Sequence, residues 1–527
     1  MKNATDIAKA TTKGGFHVLW GLIASTVISS VGTIFIARLL GDNGYGLYTV
    51  ALAAPTFIAV FRDWGVNTAM VRCTAQFRTE NRADEIKSIF ISGLIFEIAL
   101  GLTLSALSFA FSDVIAAAYN RPYIAPLIQI ASFSILAGGL VNAASAAFTG
   151  METMKLNSVM LIAQSTLKTL LIIGLVVLGL GTPGAVIGYT VSFGFAGFVG
   201  LLLLWTIYRK LPKPAAAASL QIKAYLTTVL RYGIPLSFSA ILTAALGQFY
   251  TFLLPIHYVS DDAIIGNYGI SVTFVVLIAF FATPITTMLF PAFSKLSGEK
   301  DKETLKNFFQ YSVKYASLLV VPVAALVMCL SEPAVSTLFG SSYNSAPLFL
   351  SLLSIQYLFT AAGSLSIGNL ITSQGETKFI LYLTIVSAAI GFPMGSALIL
   401  TLGVLGLIIT SLMAGIPSMI LGLMFIRKHY GVTVGWGSSA RILLSSAAAA
   451  IITYAAVSQL GFSSWIRLAI GVVLFISIVI PAILVTRAIN RSDISTLRGL
   501  TGGFGPITKV TNLVLRILEK AMNALRL

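Results

Sequence analysis

Charged residues are scarce in this chain of 527 residues. Only 10% of its residues are charged, and 18 acidic residues stand against 34 Lys and Arg. Soluble globular domains have about 25% charged residues, so this composition excludes that class. The chain is 57% hydrophobic with a mean hydropathy of +0.92, which is typical of a membrane protein. It also lacks a Walker A phosphate loop, so it offers no such motif for ATP hydrolysis.

Apolar runs fill most of the sequence. About 20 apolar residues are needed to cross the hydrocarbon core as a helix, and fourteen runs approach or exceed that length. They cover 15–40, 45–61, 89–111, 124–148, 159–180, 185–207, 234–256, 264–290, 312–330, 348–371, 380–402, 404–426, 443–460 and 466–485. The predicted fold is an all-α polytopic membrane protein with about 14 transmembrane helices.

The loops between these runs alternate between basic and nearly uncharged. All but five of the 34 Lys and Arg residues fall in the N-terminal segment, the even-numbered loops or the C-terminal tail. Because Lys and Arg are retained in cytoplasmic loops, both termini are predicted to be cytoplasmic in a multi-pass protein of the cell membrane. The exceptions are Arg38, Arg62, Arg121, Lys168 and Arg467.

The chain has only two cysteines, Cys73 and Cys329. The predicted topology places Cys73 near the cytoplasmic face and Cys329 near the outer face. Bonded cysteines have Cα atoms within about 7 Å, so no disulfide is predicted between these two.

Two short segments recur along the chain. Residues 44–46 (GYG) recur as 267–269 (NYG), and the turn at Glu152 recurs at Glu376, at offsets of 223 and 224 residues. The alternative is a coincidence of common turn residues. An even number of spans separates the copies, so the pattern predicts a parallel repeat of six helices. The predicted domains are a first lobe at 1–210, a cytoplasmic linker at 211–231, a second lobe at 232–428, two extra C-terminal helices at 440–487, and a cytoplasmic tail with an amphipathic helix at 488–527.

The most specific pattern lies in residues 30–75. It consists of ARLLGDNGYGLY at 37–48 and RDWGVNTA at 62–69. With the arrangement of six, six and two spans, it resembles the polysaccharide transporter branch of the multidrug/oligosaccharidyl-lipid/polysaccharide exporter superfamily, the Wzx-type flippases. The resemblance implies a transporter, not an enzyme. It would move a lipid-linked (poly)phosphate oligosaccharide from the cytoplasmic to the outer leaflet, for polysaccharide or glycan biosynthesis, by alternating access of two lobes.

The implied partners are this lipid-linked oligosaccharide, membrane lipids, and a polysaccharide polymerase or glycosyltransferases. No cofactor is expected, although a proton or sodium gradient would suit a coupled transporter. The basic residues are not interleaved with aromatic residues as on a nucleic-acid surface. Nucleic acid is therefore not an expected partner.

Five charged residues fall within or beside the spans of the first lobe: Arg38, Arg62, Asp63, Glu97 and Lys168. A charge at the bilayer centre costs at least about 2.5 kcal/mol, so it usually faces a bundle interior. The three basic residues are predicted to bind substrate, because a cationic donor, and a guanidinium above all, suits phosphate. Their structural alternatives are a snorkelling anchor for Arg38, an interfacial position for Arg62 and a carboxylate pair for Lys168. Glu97 and Asp63 are predicted either to couple an ion or to pair with a cation, which for Glu97 is Lys168 or Arg62. No catalytic or metal site is predicted.

Two other function classes stay open at this point. A cation-coupled multidrug antiporter of the same superfamily would rely on acidic residues, whereas three of these five charges are basic. A membrane glycosyltransferase would need acidic residues on a sizeable outer loop to bind metal and activate an acceptor. The adjacent pair Asp261 and Asp262 lies in a loop of about eight residues, which favours a solvated turn.

Overall fold

The structure, a computed structural model, describes residues 4–80, 82–211, 222–259, 261–296, 301–490 and Asp493. Every regular element in these residues is helical, which confirms the all-α fold class. Of the predicted linker, residues 222–231 already belong to a helix and 212–221 lie outside the described residues. The amphipathic helix predicted for the tail also lies outside them.

Seventeen α-helices follow one another in the described residues. They are α1 (Ala4–Ala59), α2 (Val66–Thr79), α3 (Ala83–Ala110), α4 (Ser112–Ala118), α5 (Ala125–Gly150), α6 (Met154–Leu175), α7 (Gly181–Lys210), α8 (Ile222–His257), α9 (Asp262–Phe293), α10 (Lys302–Cys329), α11 (Ser331–Leu338), α12 (Ala346–Leu358), α13 (Ser364–Ser373), α14 (Thr377–Leu402), α15 (Val404–Tyr430), α16 (Trp436–Ser458) and α17 (Ser464–Val485).

Eleven helical stretches of the described residues are long and apolar enough to cross a membrane. The number becomes twelve if the bent pair Ala346–Ala362 and Ser364–Ser373 forms one span. The exact count of fourteen therefore stays a prediction.

Glycines interrupt the two longest of these stretches. Ala24–Arg62 has 39 residues, which at about 1.5 Å per residue is roughly twice the 30 Å hydrocarbon thickness. Within it, Gly41 has a φ of 68° and a ψ of 178°, which no helix contains. In Met154–Lys210, Gly179 and Gly181 likewise have positive φ values. Each stretch is thus two helices joined at a sharp break.

One order of helices occurs twice. A long helix, a short one and three long ones form α3–α7, and the same order recurs in α10–α15 with α12 and α13 as one bent helix. The turns after α5 and α13 also match: Glu152 and Gly375 have φ values of 56° and 85°, and their N–H groups donate to Thr149 and Thr372 carbonyls. These positions are 223 residues apart. The repeated order of helices is consistent with the predicted repeat. The boundaries of the two lobes stay predictions.

The chain divides into two compact units, Met1–Thr273 with Thr384–Ala414, and Phe274–Leu383 with Gly415–Leu527. In the first unit α5 packs against α3 and α7 over a core that includes the fully buried Phe148 and Met160. In the second unit α10 packs against α12 and α16, and Phe309 is fully buried in the core beside it.

Candidate functional site

A tight turn between α1 and α2 positions the first predicted site residues. Gly65 adopts a left-handed conformation with a φ of 81°, and the Asp63 carboxylate accepts its N–H at 2.9 Å. A Cβ at this position would lie only 2.1 Å from the Gly233 carbonyl oxygen. Only glycine can adopt the left-handed conformation easily and also leave room for this carbonyl oxygen. Asp63 therefore fastens the turn, and Arg62 before it is 8% exposed.

Arg62 and Glu97 form a buried ion pair. The Nε–Oε2 distance is 3.2 Å, and the side chains are 9% and 0% exposed. Arg62 Nη1 also donates to the Ile135 carbonyl at 2.8 Å, and Asn67 Nδ2 donates to Glu97 Oε1 at 2.6 Å. The pair thus links the α1–α2 turn, α2, α3 and α5. The sequence left Lys168 and Arg62 open as the ion-pair partner of Glu97, and the partner is Arg62.

The pair keeps unused hydrogen-bonding capacity. Within the described residues, Arg62 Nε, Glu97 Oε2 and the Asn67 side-chain oxygen are buried and make no hydrogen bond. Arg62 Nε and Glu97 Oε2 nevertheless lie within ion-pair distance of each other, at 3.2 Å. A buried polar group without a hydrogen bond costs about 1–3 kcal/mol.

Two glycines of α5 make room for this pair. A Cβ at Gly138 would lie 2.9 Å from Arg62 Nη1, and one at Gly139 would lie 2.8 Å from Glu97 Oε2. These distances are shorter than a normal contact, so any side chain would push the charged groups apart.

We expect Gly139→Ala to destabilise the protein by about 1–3 kcal/mol, the usual range for overpacking. Thermal unfolding of the purified protein measures this change. Gly174→Ala is the matched control, because a Cβ at that helical position meets nothing within 4 Å, and alanine favours a helix by about 1 kcal/mol. Equal unfolding temperatures for Gly139→Ala and the unaltered protein would contradict the contact.

The other two predicted cations lie elsewhere. The Lys168 ammonium on α6 is half-buried and donates to the Ser29 hydroxyl of α1 at 3.3 Å, so it does not pair with Glu97. Arg38 is exposed on α1, one helical turn before the break at Gly41. The structure thus brings Arg62 and Glu97 together, with Asp63 in the adjoining turn, and leaves Lys168 on a separate helix pair.

The sequence reasoning missed a second buried arginine. Arg121 precedes α5 and is 1% exposed. It forms an ion pair with Asp262 at 2.7 Å and donates to the carbonyls of Tyr119, Pro255 and Tyr258. It therefore fixes the turn between α8 and α9 to the start of α5. Asp262 is part of this contact and not of a solvated turn.

Close to this ion pair, α1 and α9 cross backbone against backbone. A Cβ at Gly46 would lie 1.7 Å from the Asp262 carbonyl oxygen, and one at Gly266 would lie 2.2 Å from the Asp42 carbonyl oxygen. The two contacts are reciprocal, because 220 residues separate the glycines and 220 separate the aspartates. Reciprocity of this kind is typical of a two-fold interface.

The same crossing has a local sequence pattern. Residues 42–48 and 262–268 both read Asp-x-x-x-Gly-x-Tyr. The sequence comparison aligned 44–46 with 267–269 instead, at an offset of 223. At this contact the equivalent residues are 220 apart. The two offsets differ because a match of three residues is too short to determine the register.

The bundle of long apolar helices is that of a multi-pass membrane protein. A family model described as "Polysaccharide biosynthesis protein" matches residues 35–348, more than half of the chain. A second, "Lipid II flippase MurJ", matches residues 267–480. The chain belongs to the first family, in the polysaccharide flippase branch of its superfamily. It is a transporter and not an enzyme.

Individual proteins are similar to this chain in sequence or in fold. "Lipopolysaccharide biosynthesis protein WzxC" of Escherichia coli (strain K12) is 24% identical over 401 residues, which are 73% of this chain and 76% of that protein. The fold is similar to a structure of "Lipid II flippase MurJ, inward closed conformation", with a TM-score of 0.66, 15% identity, and coverage of 88% of this chain and 97% of that one. An inward-facing multidrug resistance MATE family transporter has a TM-score of 0.60 and 18% identity, covering 77% of this chain and 95% of that one.

Proposed function

We propose that this protein is a flippase that turns a lipid-linked, phosphate-bearing oligosaccharide from the cytoplasmic to the outer leaflet of the cell membrane. Its family and the names of its relatives support the glycan-lipid class. Glycosyltransferases would supply the glycan for a polysaccharide polymerase to use. Both termini are cytoplasmic in this proposal, as the distribution of Lys and Arg predicts.

One observation supports the proposal that the substrate bears an anionic group. Among the described residues, no carboxylate lies within ion-pair distance of the half-buried Lys168 ammonium, whose hydrogen-bond partner is the Ser29 hydroxyl. An unpaired charge inside a span is expensive and is usually functional. A phosphate that leaves water needs cationic donors to replace its hydration. Lys168 is the phosphate ligand in this proposal, and Arg38 and Arg62 are further cations along the same lobe.

We propose alternating access as the mechanism. The contacts of Arg121 and the crossing at Gly46 and Gly266 belong to one of the two end states of the transport cycle. These contacts join the segment of α1 that follows its break at Gly41 to the predicted outer ends of α5, α8 and α9. The substrate could pass only after the ion pair and the crossing separate. Side chains that hold two discrete arrangements of packed helices are a usual means of such switching.

The test is translocation of a fluorescent lipid-linked oligosaccharide in proteoliposomes. Lys168→Met should lower the rate by roughly 10- to 100-fold, because a charge-assisted hydrogen bond is worth about 1.5–3 kcal/mol. Lys168→Arg should keep most of the rate. The exposed Lys155 at the start of the same helix is the matched control, so Lys155→Met should leave the rate unchanged.

Full activity in Lys168→Met would contradict the proposal. The cation-coupled multidrug antiporter is the second candidate, because a solved multidrug resistance MATE family transporter shares the fold. A lipophilic cation would be repelled by Lys168, so export of such a drug that rises in Lys168→Met would favour the antiporter.

A further inference from the structure

An apolar groove opens between α3 and α7 in the first compact unit. It has a volume of about 430 Å³, and every residue that lines it is apolar or aromatic. Phe90 and Leu94 line it from α3, and Phe198, Trp205 and Tyr208 line it from α7. Both helices pack on α5. Leu204 at its base is 5% exposed and belongs to the core of this unit.

The length of the groove matches one leaflet of a bilayer. Its lining on α7 runs from Phe198 to Tyr208, which is about 15 Å at a rise of about 1.5 Å per residue. The hydrocarbon core is about 30 Å thick. The groove thus extends from the C-terminal end of α7, which is predicted to face the cytoplasm, to about the middle of the membrane.

Cations and aromatic rings meet at the end of the groove. The Arg209 guanidinium lies 3.6 Å from the centroid of the Trp205 ring, and the Lys87 ammonium lies 5.0 Å from that of Tyr208. Lys87 is buried, whereas Arg209 and Lys210 are exposed in the last turn of α7. Aromatic residues and basic residues at this level contact lipid headgroups.

We propose that this groove binds one acyl chain of an anionic glycerophospholipid, with its phosphate on Arg209. The apolar lining takes the chain, and the exposed cations take the headgroup. The carrier chain of a flipped substrate is a poorer occupant, because it must reach the other leaflet and the groove is confined to one. The inference does not depend on the transported glycan, since the groove is separate from Lys168 and from the Arg62–Glu97 pair.

The experiment uses the purified full chain in nanodiscs containing equal amounts of phosphatidylglycerol and phosphatidylcholine with identical acyl chains. Lipids that remain bound after transfer to detergent are counted by native mass spectrometry. The unaltered protein should retain phosphatidylglycerol over phosphatidylcholine about fivefold, because a basic residue near the membrane surface contributes about 1 kcal/mol. Arg209→Gln should bring the ratio close to one. Leu94→Trp should fill the groove and reduce retention of both lipids.

The matched control is Arg427→Gln. Arg427 is also exposed in the last turn of a spanning helix, α15, and its replacement should leave the ratio at about fivefold. An unchanged ratio in Arg209→Gln would overturn the proposal. So would an equal fall in Arg427→Gln, which would indicate a general charge effect. Displacement of phosphatidylglycerol by an added polyprenyl phosphate would overturn the assigned occupant and identify a carrier-chain groove.

Discussion

Arg62→Leu should reduce the amount of folded protein in the membrane severely, and Glu97→Leu should do the same. Each leaves its partner as an unpaired charge in a site where Glu97 is completely buried, and removal of one member of a buried pair costs about 3–5 kcal/mol. The double variant should recover most of the loss, because well-packed hydrophobic residues often replace a buried ion pair without penalty. Membrane abundance and thermal unfolding of the three variants measure this coupling.

The double variant also separates folding from transport. If the pair only fastens α2, α3 and α5, translocation should return with abundance. Our proposal expects a folded protein that translocates little, since Arg62 would be lost as a cation near the substrate and Glu97 as an ion-coupling group. The pair of Arg467 and Glu332, whose side chains are 21% and 51% exposed, is the matched control. Replacing both residues there should change stability by no more than about 1 kcal/mol.

A full return of translocation in the double variant would assign the pair a structural role alone. Loss of folded protein in the double variant as severe as in either single variant would contradict the ion pair itself. Glu97→Gln tests the coupling. Translocation that no longer depends on a proton or sodium gradient in this variant would assign ion coupling to Glu97.

Arg121→Met should have the second largest effect. The change leaves Asp262 without its cation and three carbonyl groups without their donor, at a position that is 1% exposed. We expect a loss of about 3–5 kcal/mol and faster hydrogen exchange of amides in residues 250–265. Arg121→Lys should restore little, because one ammonium cannot donate in as many fixed directions as a guanidinium.

The control for this change is Arg78→Met. Arg78 forms an ion pair with Glu152 in which both side chains are at least 40% exposed, so its loss should cost less than about 1 kcal/mol. Exchange rates in residues 250–265 that are equal in Arg121→Met and the unaltered protein would remove the role of Arg121 in holding the α8–α9 turn.

The sequence identified Arg62 and Glu97 because a charge among apolar residues is conspicuous wherever it occurs. It could not choose the partner of Glu97, because Arg62 and Lys168 are both distant in sequence and only folding decides which is within reach. Arg121 was missed for the opposite reason. It lies in a short connection between spans and not inside a span, and its burial depends on α8 and α9, more than 130 residues later. Its one sequence signal is its place in an outer loop, where basic residues are few.

Hydropathy located the helices but not their true ends. The seventh predicted span starts at Ile234, whereas α8 starts at Ile222. A helix can continue past the membrane into polar residues, so apolar length reports only its membrane part. Likewise the breaks at Gly41 and Gly179 depend on backbone angles that glycine permits but does not require.

The reciprocal contact of Gly46 and Gly266 restricts how this chain can evolve. Most tight contacts between side chains can be repaired when a neighbouring residue becomes smaller. Here the blocking atoms are the carbonyl oxygens of Asp262 and Asp42, and no substitution removes a backbone oxygen. A side chain at either glycine therefore has no compensating mutation within the crossing, so selection can keep only glycine at these two positions.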